Sequence, residues 1–586
     1  MRMKKRKSFL ILLLIALVLG GCKGREEPQA GAAGAECPYE EFIVVDVFDT
    51  LANYQGIQSG WFAKVVKDKF NMELNIIAPN VAGGGTTLFQ SRLAAGNLGD
   101  LIISSGEYET VQSMAAAGLL LNMEPYLKDR QIMRYSHAIE AFNEVIVPEG
   151  IYAIPSEVSL GSPTTPGEVA EPTFGPYVRW DLYKQLGYPR IGTLEELLPV
   201  LKQMQQLEPV AENGKKTYAF SFFKDWDENM MNAAKQPCCF YGYDEFGFVL
   251  VKADSSDYQN ILDDDSPYIR SLKWFFDANQ LGLVDPESGT QSYSTFVQKY
   301  EEGQLLYCPW PWTSKAVYNT VAHLEDGKGF FMVDIGDMEP YSYGCSREGN
   351  QKLVIAVGAQ TQDPERMAAF VDWLYSPEGI AANQAEVSDG AAGPRGLCWD
   401  YGADGAPCLT EFGKKAFGES RAELPEGWGQ GTWADGISAL NYKAVKLLET
   451  DDRGYPYAYQ LWDSVKNQGK TALERDWQEH MDADTTMEYL EKNKKLMVSP
   501  GFGYTRPQKS SEEEAIRSQC RSVICKYSWE MIFAEDEETF YGLLARMQKE
   551  TKSLGYDSVL ELDMKNAREM EAARLENVKK YEEGTP

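Results

Sequence analysis

The sequence is poor in histidine, and its positive charges are outnumbered. Its 586 residues include 3 histidines, 57 lysines and arginines, and 87 aspartates and glutamates, which give a formal net charge of −30. The histidines, at 137, 323 and 480, lie far apart and form no H-E-x-x-H motif, so we expect no structural zinc site. Nucleic acids bind clustered lysine and arginine. We therefore expect no nucleic-acid partner and interpret the acidity as a means of staying soluble.

Motifs for nucleotide binding and nucleophilic catalysis are also missing. Gly83-Gly84-Gly85 follows a predicted strand, but no Lys-Ser/Thr follows it as a P-loop requires, and no G-x-G-x-x-G fits. No G-x-S-x-G elbow stands in an Asp/His context. A glycoside hydrolase with paired carboxylates stays open, because so many acidic residues do not exclude such a pair. We expect a protein that is not an enzyme and that needs no cofactor.

Cysteines are present in a number that excludes a complete disulfide set. Apart from Cys22, the chain has an odd number of them and no C-x-x-C spacing. They stand at positions 37, 238, 239, 308, 345, 398, 408, 520 and 525. Pairing of Cys398 with Cys408 stays open. We expect mostly buried free thiols.

The acidic run Asp263–Asp265 offers oxygen atoms of the kind that bind calcium. We interpret this run as a solvated turn.

The N-terminal apolar run, Phe9–Leu19, is shorter than the roughly 20 residues that span a bilayer. A basic cluster, MRMKKRK, precedes it, and Leu19-Gly20-Gly21 stands before Cys22. This pattern resembles a bacterial lipobox, which predicts a signal peptide at 1–21 and acylation of Cys22, palmitate included. Residues 22–36 are predicted to be a flexible tether. The alternative is an ordinary cleaved signal with an incidental cysteine.

Alternating apolar segments predict a parallel α/β sheet. Residues 42–48, 74–78 and 100–104 are predicted strands, and helices are predicted at 58–70 and 86–95. In such open sheets, ligands bind outside the carboxyl ends of the strands.

Three side chains near those strand ends are therefore candidate ligand contacts. Asp49 and Tyr54 follow the first predicted strand. Asp100 adjoins the third, where a role as a strand-start residue is equally open. The rim expected from these strand ends also includes the loops at 79–87 and 104–108.

Tryptophans in loop-like settings are the second group of candidates. The chain has 13 tryptophans, and several stand among glycine, proline or aspartate: Trp226, Trp310, Trp312, Trp428 and Trp433, with Asp435 close by. An indole covers the apolar face of a sugar ring, and carboxylates accept hydrogen bonds from its hydroxyls. Pro309 and Pro311 end the strand predicted at 305–308, so Trp312 is expected at a strand's carboxyl end. The alternative for each tryptophan is core packing, which Trp61 and Trp373 fit better.

Several short segments, in order, match the motifs of one family. The pattern "P-D-hydrophobic … G-L-L-x-x-L" corresponds to Asp100–Ile103 with Met114–Leu121 and Pro125–Leu127. The other matches are Tyr152–Pro155, Val178–Gly187, Thr193–Leu197, Glu302–Gln304 and Ala369–Glu378. The chain resembles the extracellular solute-binding lipoproteins of ABC importers, specifically the large LplA-like, sugar-binding group. It departs at Gly99, where the family has proline, and at Trp180, where it has asparagine.

The resemblance implies an α/β, two-lobed periplasmic-binding-protein-like type II fold with a helix-rich C-terminal part. Residues 37–155 plus about 340–395 would form a discontinuous lobe 1, and 156–339 plus parts of 396–586 would form lobe 2 and the C-terminal helices. A Pro/Gly/Thr-rich stretch, 162–176, is the candidate crossing.

The resemblance also implies a function. The protein would hold a carbohydrate, expected to be an oligosaccharide, between the lobes and deliver it to the transmembrane subunits of an ABC permease. A lipid anchor would place it on the extracytoplasmic face of the cell membrane. A peptide or another small polar solute stays open as the ligand, and so does a plain adhesin.

Overall fold

Strands and helices alternate over the first part of the chain, and helices dominate its C-terminal end. The computed structural model describes residues 37–82, 85–106, 108–386, 390–419, 421–466, 470–501 and 510–584. The predicted signal peptide, Cys22, the tether, Gly83 and Gly84 lie outside the described residues. The first elements are β1 (Ile43–Asp49), β2 (Gly56–Ile57), α1 (Gly60–Phe70), β3 (Met72–Ile77), α2 (Pro79–Ala82), α3 (Gly85–Ala94), β4 (Leu101–Ser104), α4 (Tyr108–Ala116), α5 (Glu124–Leu127), the 3-10 helix η1 (Gln131–Tyr135), α6 (Ser136–Asn143) and β5 (Ile154–Ser156).

The middle of the chain has shorter strands among its helices. Its elements are β6 (Tyr177–Arg179), α7 (Trp180–Gln185), α8 (Leu197–Leu207), α9 (Asn232–Cys239), β7 (Tyr243–Phe246), β8 (Val249–Lys252), β9 (Tyr258–Asn260), α10 (Pro267–Gln280), α11 (Tyr293–Glu301), β10 (Tyr307–Cys308), α12 (Lys315–Tyr318), α13 (Val321–Glu325) and β11 (Phe330–Met332). The predicted strand at 305–308 is observed only over its last two residues, and Pro309 follows them.

The rest of the chain ends in long helices. Its elements are β12 (Tyr341–Tyr343), β13 (Asn350–Val357), α14 (Pro364–Leu374), α15 (Pro377–Asn383), β14 (Trp399–Tyr401), β15 (Pro407–Leu409), α16 (Glu411–Ala416), η2 (Ala434–Gly436), η3 (Tyr459–Leu461), α17 (Asp463–Lys466), α18 (Ala472–Met481), α19 (Thr486–Lys492), β16 (Met497–Ser499), α20 (Ser511–Ile532), α21 (Glu537–Ser553) and α22 (Tyr556–Glu582).

A six-stranded sheet, in the order β2-β3-β1-β4-β13-β5, organises the first lobe. Strand β1 pairs in parallel with both β3 and β4, which confirms the predicted βαβ units. Strand β13, from far along the chain, pairs antiparallel with β4 and β5. Alternate residues of β4 point to opposite faces: Leu101 and Ile103 join one core, and Ile102 joins another. Both faces are therefore covered, as is usual for parallel strands.

A second lobe has its own hydrophobic core. Its central strands have the order β10-β6-β11, all antiparallel. The buried residues that surround them come from 174–341 and again from 473–559, so α18, α20 and α21 are part of this lobe. The C-terminal helices thus complete the second core.

The chain passes between the two cores at three places. The first crossing is 157–176, between β5 and β6, and the second is 333–349, between β11 and β13; the third lies between α17 and α18. We expected parts of 396–586 to belong to lobe 2. The cores divide that stretch, because buried residues of 397–458 join the first core and those from 473 onward join the second.

The described cysteines are free thiols, as expected from the sequence. Six of them are buried, at 238, 239, 308, 345, 398 and 520, and those at 37, 408 and 525 are half-buried. Cys398 and Cys408 are not paired with each other. Desolvation by burial raises the pKa of the Cys238 thiol to about 12. Thiols of this kind pack as small apolar side chains and are chemically inert.

Candidate functional site

Four aromatic side chains of the second lobe, Trp226, Tyr293, Trp310 and Trp312, form a cluster that we call the aromatic platform. Trp310 and Trp312 are stacked, with ring centroids 5.8 Å apart and planes inclined by 25°. Trp226 meets Trp310 edge-on at 5.7 Å, and Tyr293 lies 4.4 Å from Trp226. The structure therefore brings three of the predicted tryptophans together, and Tyr293 is an addition that no sequence motif signalled.

Exposure differs sharply within the aromatic platform. Trp312 is 41% exposed, whereas Trp310 is 4% exposed. Trp226 is half-buried. Trp312 thus presents its indole to solvent while Trp310 supports it from behind. An exposed indole of this kind offers a ligand a large, stiff contact face with a polar handle.

Hydrogen bonds from separate segments hold the platform in place. The indole Nε1 of Trp310 donates to Oε1 of Gln236 on α9 at 3.0 Å. The backbone N–H of Tyr293, at the start of α11, donates to Oδ2 of Asp225 at 2.8 Å. Pro309 and Pro311 flank Trp310 and prevent the β10 strand from continuing. The aromatic rings are fixed before any ligand arrives, which lowers the entropic cost of binding.

A small cavity lies behind the platform. Its lining includes Phe222, Phe275, Tyr307 and Trp310, and its volume is about 20 Å³. That is enough for one water molecule and not for a sugar ring. A ligand of saccharide size would therefore contact the outer face of the platform, where Trp312 is exposed.

In the first lobe, Asp49 and Tyr54 lie at the carboxyl end of β1. The Asp49 carboxylate is fully buried and accepts hydrogen bonds from the backbone N–H groups of Leu51 and Asn441, each at 3.1 Å. Burial raises the pKa of Asp49 to about 6, although the backbone hydrogen bonds oppose the shift. Tyr54 is 41% exposed, and its hydroxyl donates to the carbonyl oxygen of Ile57 at 2.6 Å. Tyr54 therefore presents a ring face to solvent, whereas the buried carboxylate of Asp49 is not accessible to a ligand.

The segment 435–441 joins this rim from far along the chain. Gln58 donates through Nε2 to the carbonyl of Ile437 at 3.0 Å and accepts from the backbone N–H of Ala439 at 2.6 Å. Gly60 and Gly436 approach so closely that a Cβ on Gly60 would lie 2.4 Å from the Cα of Gly436. The predicted candidate Asp435 thereby lies beside the start of α1, where the hydroxyl of Ser59 donates to the Asp435 carbonyl oxygen at 3.4 Å. Sequence reasoning missed Gln58, because only the folded chain brings it to this segment.

Asp435 is exposed, and its own turn holds its carboxylate. Oδ2 accepts from the backbone N–H of Thr432 at 2.9 Å and from its hydroxyl at 2.7 Å. These hydrogen bonds lower the pKa of Asp435. The carboxylate is therefore ionised at neutral pH and retains lone pairs that a ligand hydroxyl can use.

Trp433, expected as a ligand contact, is a core residue. It is 0% exposed and stacks on Trp61 with ring centroids 4.8 Å apart and planes inclined by 8°. The indole N–H of Trp61 donates to the carbonyl of Trp433 at 3.0 Å. The glycine-rich loop folds back onto α1, so its tryptophan is sealed in the first core. Trp428 of the same loop is half-buried and packs against that core.

Asp100 is a strand-start residue rather than a rim residue. It precedes β4, and its Oδ2 accepts a hydrogen bond from the backbone N–H of Asp46 at 3.0 Å. Since the ligand rim lies at the carboxyl ends of the strands, Asp100 lies at the wrong end of β4 for ligand contact. The alternative that the sequence left open is the correct one.

Polar side chains of the first crossing lie next to the platform. The Glu171 carboxylate forms an ion pair with Lys315, three residues after Trp312, and its side chain is 5% exposed. It also accepts from the hydroxyl of Tyr177 at 2.8 Å. Sequence reasoning identified the crossing from its proline and glycine content but not the ion pair, because the partners are separated by more than a hundred residues.

Within the described ranges, no group of three histidine, cysteine or acidic side chains is arranged to hold a metal ion. The Asp263 and Asp264 carboxylates accept hydrogen bonds from Asn260 at 2.7 Å and Gln548 at 2.8 Å. No described helix is both long enough and apolar enough to cross a bilayer.

Comparison of the fold with solved structures identifies proteins of the same architecture. No protein-family model and no curated protein sequence matches the chain. The calcium-free alginate-binding protein AlgQ2 superposes with a TM-score of 0.58 at 14% identity, over 91% of this chain and 99% of that one. An EF-hand mutant of the S. pneumoniae ABC-transporter substrate-binding protein FusA, in complex with fructo-nystose, superposes with a TM-score of 0.59 at 12% identity, over 90% of this chain and 100% of that one.

A third similar structure is an extracellular solute-binding protein from Bifidobacterium longum subsp. infantis, with a TM-score of 0.50 at 11% identity over 91% of this chain and 99% of that one. These structural neighbours are binding proteins rather than enzymes, and those named for a ligand bind carbohydrate. The chain therefore has the two-lobed fold of ABC-transporter solute-binding proteins, with a helix-rich C-terminal part.

Proposed function

We propose that this protein is a membrane-anchored, extracytoplasmic solute-binding protein that captures a carbohydrate between its two lobes and delivers it to an ABC permease. The observation that carries the proposal is the exposed indole of Trp312, backed by Trp310, in a fold shared with carbohydrate-binding proteins. Capture between the lobes follows from the three crossings, which allow two bodies to close about a hinge. The ligand would leave chemically unchanged.

The chemistry of the two candidate surfaces suits an oligosaccharide. The ring of Trp312 would cover the C–H face of one sugar unit, and the half-buried rings of Trp226, beside Trp310, and Tyr293, beside Trp226, would add apolar surface. The Asp435 carboxylate and the exposed Tyr54 on the first lobe would take the hydroxyl edge. A ligand with an apolar face and a polar rim matches this division better than a wholly polar solute does.

The proposal of a lipid anchor depends on the N-terminal sequence. A basic cluster, a short apolar run and Leu19-Gly20-Gly21 before Cys22 form the lipobox-like pattern. Acylation of Cys22, palmitate included, would attach the protein to the outer face of the cell membrane, because several acyl chains together give stable anchoring. Residues 22–36 would be the tether to lobe 1.

A thermal-shift screen of the mature protein tests the proposal. A panel of neutral, acidic and amino-bearing oligosaccharides is compared with a pool of short peptides. A ligand present at about 100 times its Kd adds about 2.7 kcal/mol of stability, which is a clear shift. We expect at least one glycan to shift the unfolding transition. A response to the peptide pool and to no glycan would reverse the assignment.

The enzyme alternative is tested in the same samples. Any glycan that binds is incubated with the protein, and released reducing ends are measured. We expect none above the background of the glycan alone. Turnover at a rate that scales with protein concentration would contradict the function of a binding protein.

A further inference from the structure

We infer that the bound carbohydrate carries no net negative charge, so the site takes neutral or amino-bearing oligosaccharides and rejects uronates. This inference rests on the proposed function and specifies its ligand class. A site for a polyanion needs lysine or arginine side chains that are not already neutralised. The charged groups around the crossings, next to the aromatic platform, supply the argument.

The cation nearest Trp312 in sequence is already paired. Lys315 follows Trp312 by three residues, and its ammonium forms an ion pair with Glu171 of the first crossing. The Glu171 side chain is 5% exposed and also holds the hydroxyl of Tyr177 at 2.8 Å. A uronate that approached Lys315 would therefore meet the Glu171 carboxylate at the same place.

Two further lysines at the crossings are paired in the same way. Lys235, on α9 behind the platform, forms an ion pair with Asp244, and the side chains of both are largely buried. Lys446 pairs with Glu157 at 3.3 Å, at the start of the first crossing. The positive charges of these three lysines are thus balanced by carboxylates of this chain. Lys224, two residues before Trp226, is exposed, with its ammonium 4.9 Å from the ring of Trp529, and Asp225, Asp227 and Glu228 outnumber it in the same segment.

At the crossings, carboxylates outnumber lysines. The first crossing, 157–176, contains three glutamates and no lysine or arginine. One of them, Glu168, is held by neutral donors, the hydroxyls of Thr173 at 2.8 Å and Ser342 at 2.5 Å. Glu449 likewise accepts from the hydroxyl of Ser159 at 2.6 Å.

The remaining charges near the crossings do not reverse this excess. The second crossing contains one arginine, Arg347, and four acidic residues, Asp334, Asp337, Glu339 and Glu348, and Arg347 lies 5.7 Å from the ring of Tyr581. On the rim of the first lobe, the negative charge of Asp435 is accompanied by the positive charge of Arg421, which acts on it electrostatically. Like charges in a crevice repel strongly, because water screens them poorly there. A uronate would enter against this field, and a neutral sugar would not.

Matched oligosaccharides test the inference by calorimetry. Oligogalacturonate is compared with its methyl ester, and chitin tetramer with chitosan tetramer; maltotetraose, kestose, mannopentaose and a mannuronate tetramer complete the panel. We expect the strongest binder to be neutral or amino-bearing, and each uronate to bind at least tenfold more weakly than its neutral counterpart. A uronate as the strongest binder would overturn the ligand class and leave carbohydrate capture intact. Binding of peptides and of no glycan would overturn both.

The variant Glu171→Gln tests the proposed cause. It removes the carboxylate beside Lys315, so we expect the preference for neutral over acidic oligosaccharide to fall at least threefold. Glu411→Gln is the matched control, because Glu411 also pairs with a lysine, Lys414, but is 91% exposed on the first lobe. Thermal unfolding of both variants checks the fold. A preference that is unchanged in a folded Glu171→Gln protein would contradict the electrostatic account.

Discussion

Trp312 and Trp433 carry the same side chain in opposite environments. One indole is 41% exposed and lies on a second aromatic ring; the other is 0% exposed and lies between α1 and its own loop. Both follow proline- or glycine-rich sequence, so composition alone does not separate them. Tertiary contact decides which of them meets solvent, and therefore which of them can meet a ligand.

Replacing these two tryptophans should separate binding from folding. Trp312→Ala should weaken glycan affinity by roughly 30-fold, as expected for a central aromatic contact worth about 2 kcal/mol, and should change the unfolding free energy by less than about 1 kcal/mol. Trp433→Ala should cost about 3–5 kcal/mol of stability because it leaves a cavity. Calorimetry and urea unfolding measure the two effects. Loss of folding in Trp312→Ala, with no loss in Trp433→Ala, would reverse the assignment.

Asp49→Asn should remove a pH dependence of stability. Burial raises the pKa of Asp49 to about 6, above about 3.9 for an exposed aspartate. Between about pH 4 and pH 6 the folded chain therefore holds a proton that the unfolded chain has released, so the stability that Asp49 contributes falls as pH rises, by up to about 3 kcal/mol. Urea unfolding across this interval should show the wild type losing stability relative to Asp49→Asn. Parallel profiles would contradict the raised pKa.

Among the elements, the C-terminal helices are part of the second lobe rather than an appendage. Arg517 on α20 and Asp563 on α22 form a buried ion pair, with side chains 3% and 5% exposed. Asp563 also accepts from the backbone N–H of Phe248 at 2.9 Å. A single carboxylate thus joins two helices to the β7–β8 hairpin of the lobe.

Breaking this pair should destabilise the second lobe. Arg517→Met leaves the Asp563 carboxylate buried without its cation, which typically costs about 3–5 kcal/mol. The control is Lys565→Met on α22, which breaks an exposed pair with Glu569 whose side chains are 68% and 48% exposed; exposed pairs contribute about 1 kcal/mol or less. Urea unfolding distinguishes the two. Equal losses would mean that the helices do not hold the lobe in this way.

The sequence predicted elements where the pattern is local. The strands β1, β3 and β4 and the helices α1 and α3 lie within a few residues of the predicted segments, because apolar periodicity alone defines them. It did not predict that 397–458 would return to the first core, nor that the backbone of Asn441 would donate to the Asp49 carboxylate. Those outcomes depend on contacts between residues hundreds of positions apart, for which a single sequence has no periodic signal.

The candidate site was predictable only in part, for the same reason. Pro309 and Pro311 correctly indicated that the strand stops before Trp312. Tyr293, Gln236 and the Glu171–Lys315 pair had no motif. Their roles arise from α9, α11 and the first crossing, which meet only in the folded lobe.

On the scale of the whole molecule, the account requires two surfaces that act together. The aromatic platform belongs to the second lobe, and the rim with Asp49, Tyr54 and Asp435 belongs to the first. Two cores and three crossings provide bodies that can close on a ligand. The central claim is that one carbohydrate contacts both surfaces at once.

Hydrogen–deuterium exchange of the mature protein, with and without a glycan that raises its unfolding temperature, tests that claim most directly. The account predicts that the glycan slows exchange in 223–232 and 310–318 of the second lobe and also in 49–59 and 435–441 of the first, because closure shields both. Slower exchange in one lobe alone, or at neither surface despite measured binding, would contradict capture between the lobes.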